Sequence, residues 1–360
     1  MKTHNKDKYF SENLILWFKK NKRNLPWRRS VSHKDYPYRV LVSEFMLQQT
    51  TVSTVIPYFN KFLKIWPNIK TLSKANIDDV LIQWQGLGYY SRARNLLKTA
   101  EIIMLKHQGD IPRSENELKS LPGIGEYASA AIRSIAFNKK ASAVDGNVKR
   151  VIARFYGLTG TLDENKKRID EIANRICPNK NNRDYTQAIM EIGALVCKAK
   201  KINCDVCCIS QKCTAYNKKL VHSIPEPKVK VKKRKLNCIS FISIFNDRFV
   251  LLKKRSSEGI LSNQWELPST AWKAKSIKFS RKETPFPNAH WEKTAINFKH
   301  SFSHMDIQNV AYYARNNNKC LSSNSSNLKW VNIDKLSDYA VTTMSTVSYT
   351  HLTLPTNREV

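Results

Sequence analysis

The placement of the cysteines constrains this chain more than any other feature of its sequence. Five of the eight cysteines lie within residues 197–213, where Cys197, Cys204, Cys207 and Cys213 are separated by six, two and five residues. Four thiolates on so short a loop can ligate a tetrahedral zinc ion or a 4Fe–4S cluster, and the spacing by itself leaves both open. Eight cysteines in 360 residues are too few for a fold held together by disulfides. We therefore expect a metal or cluster loop in a protein of a reducing compartment.

Length and composition describe a folded protein of two or three domains. Hydrophobic residues make up 41% of the chain, which is enough for packed cores and excludes wholesale disorder. The chain has no run of about 18 apolar residues, so we expect no membrane-spanning helix. Residues 1–13 are polar and charged and lack the apolar segment of a secretory signal.

The net charge predicts a polyanionic partner. The chain has 61 Lys and Arg residues against 29 Asp and Glu residues, a formal charge of +32. Nucleic acid is favoured over an acidic membrane surface, because no long basic amphipathic helix stands apart from the core-forming segments. A coding bias towards Lys and Asn is the alternative explanation for part of the lysine excess.

Residue patterns divide the chain into segments. Apolar residues recur at helical spacing over residues 8–220, which predicts a mainly α region. A basic linker is predicted over residues 225–236. Residues 237–347 are rich in strand-forming residues, with a turn signal at Asn246-Asp247, and predict a separate α+β domain. The tail, residues 348–360, has no pattern that links it to the rest and takes no part in the fold prediction.

The segment LPGIG, residues 121–125, separates two predicted helices. Gly123 and Gly125 permit positive φ and close approach of the backbone to a ligand. The free N–H groups at the start of the next helix suit a phosphate, without reading a base sequence. An ordinary connection between two helices is the alternative.

Several further segments point to one protein family. They are LPWR (25–28), SEFMLQQT (43–50), GLGYYSRARNL (86–96) and VDGNVKRV (144–151), together with LPGIG and the cysteine spacing. With these segments the chain resembles the MutY-type adenine DNA glycosylases of the helix–hairpin–helix superfamily over about residues 10–345.

The resemblance implies a particular architecture. Residues 1–224 would form a mainly α glycosylase region, with a six-helix subdomain at 31–137 and an iron–sulfur subdomain made of 1–30 and 138–224. Residues 237–347 would form an α+β Nudix-like domain that recognises 8-oxoguanine. That domain lacks the Arg-Glu-x-x-Glu-Glu cluster that binds Mg²⁺ in Nudix hydrolases, so we expect a recognition module and not a second enzyme.

Two carboxylates are the candidates for cleavage of the N-glycosidic bond. The bond breaks when the leaving base is protonated and an anion stabilises the oxocarbenium-like sugar. Glu44 borders the apolar stripe of a predicted helix, where burial would raise its pKa, and the resemblance gives it the role of protonating adenine. Asp145 is a predicted N-cap that the N–H groups of the helix start would keep ionised. The resemblance gives it the role of stabilising the sugar cation, with support from Asn147. From the pattern alone, a glutamate on a solvated face and a plain N-cap are the alternatives.

Tyr127 decides which reaction is expected. Bifunctional relatives carry a lysine at this point after the hairpin and use its amine to form a Schiff base with the sugar. Tyrosine cannot form that bond, so we expect base removal without a β-lyase step. A bifunctional enzyme like endonuclease III and a non-catalytic iron–sulfur DNA sensor are the alternatives.

The resemblance also implies DNA contacts and a cofactor. Gln49 and Tyr89 would fill or wedge the duplex when adenine is flipped out, and Arg28 would bind DNA together with the hairpin glycines Gly123 and Gly125. The four spaced cysteines would hold a 4Fe–4S cluster.

The resemblance implies one more site, which recognises the base opposite the adenine. Phe302, Ser303 and His304 match the loop with which the family recognises 8-oxoguanine opposite adenine. The expected partner is therefore double-stranded DNA with an A:8-oxoguanine or A:G mispair. We expect a monomer without membrane association that acts in the cytoplasm, at the nucleoid in a prokaryote.

Overall fold

The computed structural model describes four stretches of the chain, residues 2–29, 31–228, 232–316 and 327–346. The predicted tail at 348–360 and part of the predicted linker, residues 229–231, lie outside the described residues. The chain divides into two compact units, of which the first comprises Met1–Ala75 and Asn95–Val229 and the second comprises Asn76–Arg94 and Lys230–Val360. Among the described residues, we find no helix with the length and hydrophobicity needed to span a bilayer.

Residues 2–217 are mainly α-helical, as the sequence predicts. The helices are α1 (Lys2–Asn21), α2 (Tyr36–Leu47), α3 (Val52–Ile65), α4 (Ile69–Leu72), α5 (Ile77–Trp84), α6 (Ser91–His107), α7 (Glu115–Lys119), α8 (Glu126–Phe137), α9 (Gly146–Tyr156), α10 (Lys166–Ile176), α11 (Asn182–Leu195) and α12 (Thr214–Asn217). The capping residues explain where several of them begin. The Ser114 hydroxyl accepts from the N–H of Glu117 at 3.3 Å, and the Asp145 carboxylate accepts from the N–H of Val148 at 2.7 Å.

In the first unit, a core of apolar side chains connects the N-terminal helix α1 with helices α9 and α11, which come much later in the sequence. Phe10 and Leu14 of α1 pack with Val148 and Phe155 of α9 and with Ile189 of α11, and all five are buried. The N-terminal helix thereby packs against the segments that lead into the cysteine loop. The bounds of the predicted subdomain, residues 1–30 with residues 138–224, stay a prediction.

The second unit is built on a mixed β-sheet. Its strands are β1 (Arg234–Phe245), β2 (Phe249–Lys254), β3 (Trp265–Glu266), β4 (Glu292–Ser301), β5 (Met305–Asn316) and β6 (Leu328–Asn332). The sheet order is β3-β2-β1-β5-β4, with β6 also paired to β2, and the β1–β5 pair is parallel. The predicted hairpin is present, because β1 and β2 are antiparallel neighbours joined at Asn246 and Asp247, which both have positive φ. β1 already begins at Arg234, so the end of the predicted linker belongs to the sheet.

The second unit also includes a helical segment from earlier in the chain, residues 76–94. The Lys254 ammonium of β2 pairs with the Asp78 carboxylate of α5 at 2.9 Å. Farther along, Arg94 donates to the carbonyl of Ser262 at 3.0 Å, and Gln85 donates to the carbonyl of Val341 at 3.3 Å. The predicted helical subdomain, residues 31–137, includes this segment. Contacts between segments so distant in sequence leave no local pattern, so they could not be predicted.

Candidate active site

Glu44 lies on α2 in an almost completely buried position. The residue is 5% exposed, and one carboxylate oxygen, Oε2, has no hydrogen-bond partner among the described residues. The pKa of Glu44 is raised to about 7, mainly by burial and also by the nearby charge of Asp145. A hydrogen bond with Tyr127 and the charge of Arg28 act in the opposite direction. Glu44 can therefore hold a proton near neutral pH, and an unpaired buried oxygen is a group that can deliver it.

Asp145 is held in a different environment, at the start of α9. One carboxylate oxygen accepts from the N–H of Val148 at 2.7 Å, and the other accepts from the Asn147 amide at 3.0 Å. The two predicted carboxylates thus have unlike surroundings, one desolvated and one bound by N–H donors.

Arg150 extends the Asp145 network into the cysteine loop. Its guanidinium donates to the Asn147 side-chain oxygen at 2.8 Å and to the carbonyls of Gly193 at 2.8 Å and Cys197 at 2.9 Å. Asn147 is therefore fixed by Arg150 while it donates to Asp145. This chain of hydrogen bonds joins the carboxylate to the first of the four spaced cysteines.

Tyr127 lies on α8, next to Glu44. Its hydroxyl is 3.9 Å from the Met190 sulfur, and burial together with the charges of Glu44 and Asp145 raises its pKa well above the usual range. The phenol therefore stays neutral. Tyr127 also lines an open cleft, whose wall includes Val144 and Lys149. The structure thus brings together Glu44, Asp145 and Tyr127, which lie far apart in sequence.

Arg28 points inward. Its side chain is 15% exposed and donates to the Glu191 carboxylate at 2.6 Å, and Arg23 donates to the same oxygen at 2.8 Å. Its charge also reaches Glu44, whose pKa it lowers. This placement favours a role in organising the site over the predicted contact with DNA.

The hairpin glycines differ in their surroundings. Gly123 has a φ of +77°, and a Cβ there would come within 2.9 Å of Asn95 and of the Phe45 ring, so only glycine fits. Gly125 precedes α8 and has open space around its Cβ direction, as close approach of a ligand to the backbone requires. Gln49 lies after α2, exposed, with a φ of +57°.

The four spaced cysteines line one cavity, and no disulfide joins any of them. Nowhere in the described stretches do three or more His, Cys, Asp or Glu side chains converge closely enough to hold a single metal ion. A 4Fe–4S cluster instead requires four thiolates around a cavity. Buried Arg154 lies on the cavity wall, with a guanidinium nitrogen 3.3 Å from the Cys197 sulfur. A hydrogen-bond donor at a ligating sulfur stabilises the thiolate, so these residues fit a cluster.

The second unit carries the remaining predicted site residues. Ser303 and His304 are exposed in the turn between β4 and β5, where the Ser303 hydroxyl lies 3.3 Å from the His304 ring. Phe302 points the other way, with its ring 5.9 Å from that of Trp272. Tyr89 is 46% exposed in the turn before α6.

Glu191, Arg150 and Gly193 were not predicted from the sequence. Glu191 is a buried carboxylate with two arginine partners, and both partners lie far away in the sequence, so no local pattern pointed to it. Gly193 could have been identified from the sequence, because a glycine inside a helical pattern often marks close packing. A Cβ there would lie 2.8 Å from the Asn147 Cβ.

Known proteins resemble both parts of the chain. Residues 42–179 match the HhH-GPD superfamily base excision DNA repair protein model, and residues 240–346 match the NUDIX domain model. The adenine DNA glycosylase of Buchnera aphidicola subsp. Schizaphis graminum is 37% identical over 83% of this chain and 85% of its own length. That of Arabidopsis thaliana is 35% identical over 72% of this chain and 48% of its own length.

Solved structures share the helical fold. A thermostable thymine-DNA glycosylase superposes with a TM-score of 0.55 at 30% identity, over 61% of this chain and 100% of that chain. An endonuclease III bound to DNA has a TM-score of 0.50 at 22% identity, over 59% of this chain and 95% of that chain.

Proposed function

Since the chain belongs to the adenine DNA glycosylases, base excision repair enzymes of the HhH-GPD superfamily, we propose that it removes adenine mispaired with 8-oxoguanine or guanine and that water is the final acceptor. The observation that carries the proposal is the buried Glu44, with its raised pKa and unpaired oxygen, grouped with Asp145 and Tyr127.

Glu44 acts first, as the general acid. Its protonated carboxyl delivers a proton to a ring nitrogen of the everted adenine, which turns the base into a neutral leaving group. The carboxylate left behind then takes a proton from the attacking water. A pKa of about 7 suits both steps, because neither protonation state is strongly disfavoured at neutral pH.

Asp145 stabilises the sugar while the bond is broken. The oxocarbenium-like sugar carries positive charge, and an anion held in place by Val148 and Asn147 offsets that charge without reorganising. Tyr127 orients Glu44 through its neutral hydroxyl. Because Tyr127 has no amine, the enzyme is monofunctional and leaves an abasic site.

DNA is bound through its backbone and opened at one nucleotide. The backbone N–H groups beside Gly123 and Gly125 contact phosphates, while Gln49 and Tyr89 occupy the space left in the duplex by the flipped adenine. Both side chains are exposed on turns with positive φ, which project them from the surface. Arg28, paired with Glu191, holds the site from within.

Cys197, Cys204, Cys207 and Cys213 would hold the cofactor, a 4Fe–4S cluster, which would tie the loop together. Arg154 would stabilise the Cys197 thiolate through a hydrogen bond. In this proposal the exposed Lys198, Lys200 and Lys201 of the same loop face the DNA backbone.

Ser303 and His304 recognise 8-oxoguanine opposite the adenine, as exposed hydrogen-bonding groups on the turn anchored by Phe302. In this proposal the protein acts on DNA as a monomer in the cytoplasm, and at the nucleoid if the cell is prokaryotic.

A duplex with one A:8-oxoguanine pair tests the function. After incubation with the cluster-loaded protein, alkali should cut the adenine strand at the adenine, and without alkali the strand should stay intact. Strand cleavage without alkali, together with a covalent adduct trapped by borohydride, would instead identify a bifunctional lyase. Duplex binding without any abasic product would identify a DNA-binding sensor.

A further inference from the structure

The turn that carries Tyr89 has an unusual backbone. Gly86, Gly88 and Tyr89 have φ values of +98°, +72° and +48°. Glycine adopts positive φ freely, but a residue with a large side chain does so only where its surroundings enforce it. The Tyr89 ring is nevertheless 46% exposed, so its own packing does not hold the turn in this shape.

Arg92, the second residue of α6, holds the turn in this conformation. The side chain is almost fully buried, at 5% exposure. Its guanidinium donates to the carbonyls of Leu87 at 3.1 Å and Gly88 at 3.0 Å, and its Nε donates to the carbonyl of Tyr89 at 3.4 Å. Three successive carbonyls of the turn thus converge on one planar, fivefold donor.

The same guanidinium lies close to two aromatic rings. Its carbon is 5.5 Å from the centroid of Trp84 and 5.5 Å from that of Tyr89. Trp84 is completely buried, and its indole N–H donates to the Gly88 carbonyl at 3.2 Å. Arg92 therefore links an immobile core tryptophan to an exposed tyrosine while it fixes the backbone between them.

We propose that Arg92 is the positioning residue of Tyr89: it holds the turn and the inner face of the ring so that Tyr89 enters the duplex already in its wedging conformation. This inference rests on the proposed function, in which Tyr89 fills the duplex when adenine is everted. A side chain fixed in advance loses less conformational freedom on insertion than a mobile one. Without Arg92, the turn can relax away from positive φ and the ring loses its support.

The test measures base eversion apart from catalysis. 2-Aminopurine replaces the adenine opposite 8-oxoguanine, and its fluorescence rises on unstacking when the full, cluster-loaded protein binds. A Glu44→Gln background prevents cleavage during this measurement. Single-turnover adenine release is measured separately with Glu44 intact. The variants are Arg92→Met, Arg92→Lys, Tyr89→Ala and the Arg92→Met/Tyr89→Ala double variant, all measured well below the lowest Tm of the set.

Arg92→Met is expected to slow eversion and adenine release about tenfold, as Tyr89→Ala does. The double variant should be no slower than the slower single variant, because both changes remove the same element. Arg92→Lys keeps the charge but not the planar fork, so its rates should lie between those of wild type and Arg92→Met; this variant also serves if Arg92→Met does not fold. Arg175→Met is the matched control, since Arg175 also lies over a tyrosine, Tyr156, at 5.7 Å and pairs with Asp7. It should lower the Tm but not the rate of eversion.

Two failures are distinguishable. If Tyr89→Ala slows eversion but Arg92→Met does not, or if the two effects multiply in the double variant, Arg92 does not act through Tyr89 and the inference is wrong. If Tyr89→Ala everts the base at the wild-type rate, the wedge role in the proposed function is wrong as well.

Discussion

At the residue scale, we expect the protonation of Glu44 to set the pH dependence of the reaction. Burial raises its pKa to about 7, so the acid form, which in our proposal protonates adenine, predominates below that pH and is lost above it. We expect the single-turnover rate of adenine release to fall about tenfold per pH unit once the pH is well above 7. A quenched time course from pH 5.5 to 9 with enzyme in excess measures it. A rate that stays constant up to pH 9 would contradict the role of Glu44 as the acid.

The same carboxyl links pH to stability. Between its ordinary pKa of 4.5 and about 7, folded Glu44 binds a proton that the unfolded chain releases, so its contribution to stability declines as pH rises through this window. The full difference is on the order of 3 kcal/mol. Glu44→Gln removes the free-energy cost of ionising a buried carboxyl. We therefore expect the variant to be more stable than wild type at pH 8, with a smaller difference at pH 5.5. Urea unfolding at both pH values tests this, and a constant difference would refute it.

Recognition of the opposite base is also testable at single residues. Ser303→Ala and His304→Ala should lower the preference for A:8-oxoguanine over A:G severalfold, because these exposed groups are proposed to contact the damaged base. Ser301→Ala is the matched control, since the Ser301 hydroxyl donates to Asp306 at 2.8 Å instead. The ratio of single-turnover rates on the two duplexes is the measurement. Equal losses on both duplexes would count against a recognition role.

At the scale of elements, the close contact between α9 and α11 positions Asp145. A Cβ on Gly193 would lie 2.8 Å from the Asn147 Cβ and 3.2 Å from its carbonyl oxygen, so Gly193→Ala must push the two helices apart. We expect a cost of about 1–3 kcal/mol in stability and at least a tenfold loss of rate through displacement of Asp145. Gly146→Ala is the control for stability, because nothing lies within 4 Å of its Cβ direction. A Gly193→Ala variant as stable and active as wild type would contradict this packing.

Elements with a strong local signal were predictable from the sequence. The Ser114 cap, the apolar spacing of α9 and the turn at Asn246-Asp247 each depend on residues close in sequence, and the structure has all three elements. The parallel pairing of β1 with β5 was not predictable, because it joins strands about 70 residues apart and neither strand alone encodes the partner.

In the candidate site, too, some features were predictable from the sequence and others were not. Glu44 and Asp145 were identified because their surrounding segments resemble a family, and pattern alone left a solvated glutamate and a plain N-cap open. The contacts of Glu191 and Arg150 join positions far apart in the chain, so only coordinates reveal them. The identity of a residue is local information, whereas the burial that shifts its pKa depends on the whole fold.

At the scale of the whole molecule, we expect the net charge of +32 to make DNA binding strongly dependent on salt concentration. Each phosphate contact releases a condensed counterion, so log K against log salt should fall with a slope steeper than about −4 if five or more contacts form.

The exposed Lys200 and Lys201 of the cysteine loop are two such contacts in our proposal. We therefore expect Lys200→Ala/Lys201→Ala to make the slope shallower by about 2, while Lys200→Arg/Lys201→Arg keeps both charges and the wild-type slope. Fluorescence anisotropy with a mispaired duplex from 50 to about 300 mM KCl measures the slope. A salt-independent affinity would mean that the basic surface is not used for DNA, and an unchanged slope in the alanine variant would remove this loop from the interface.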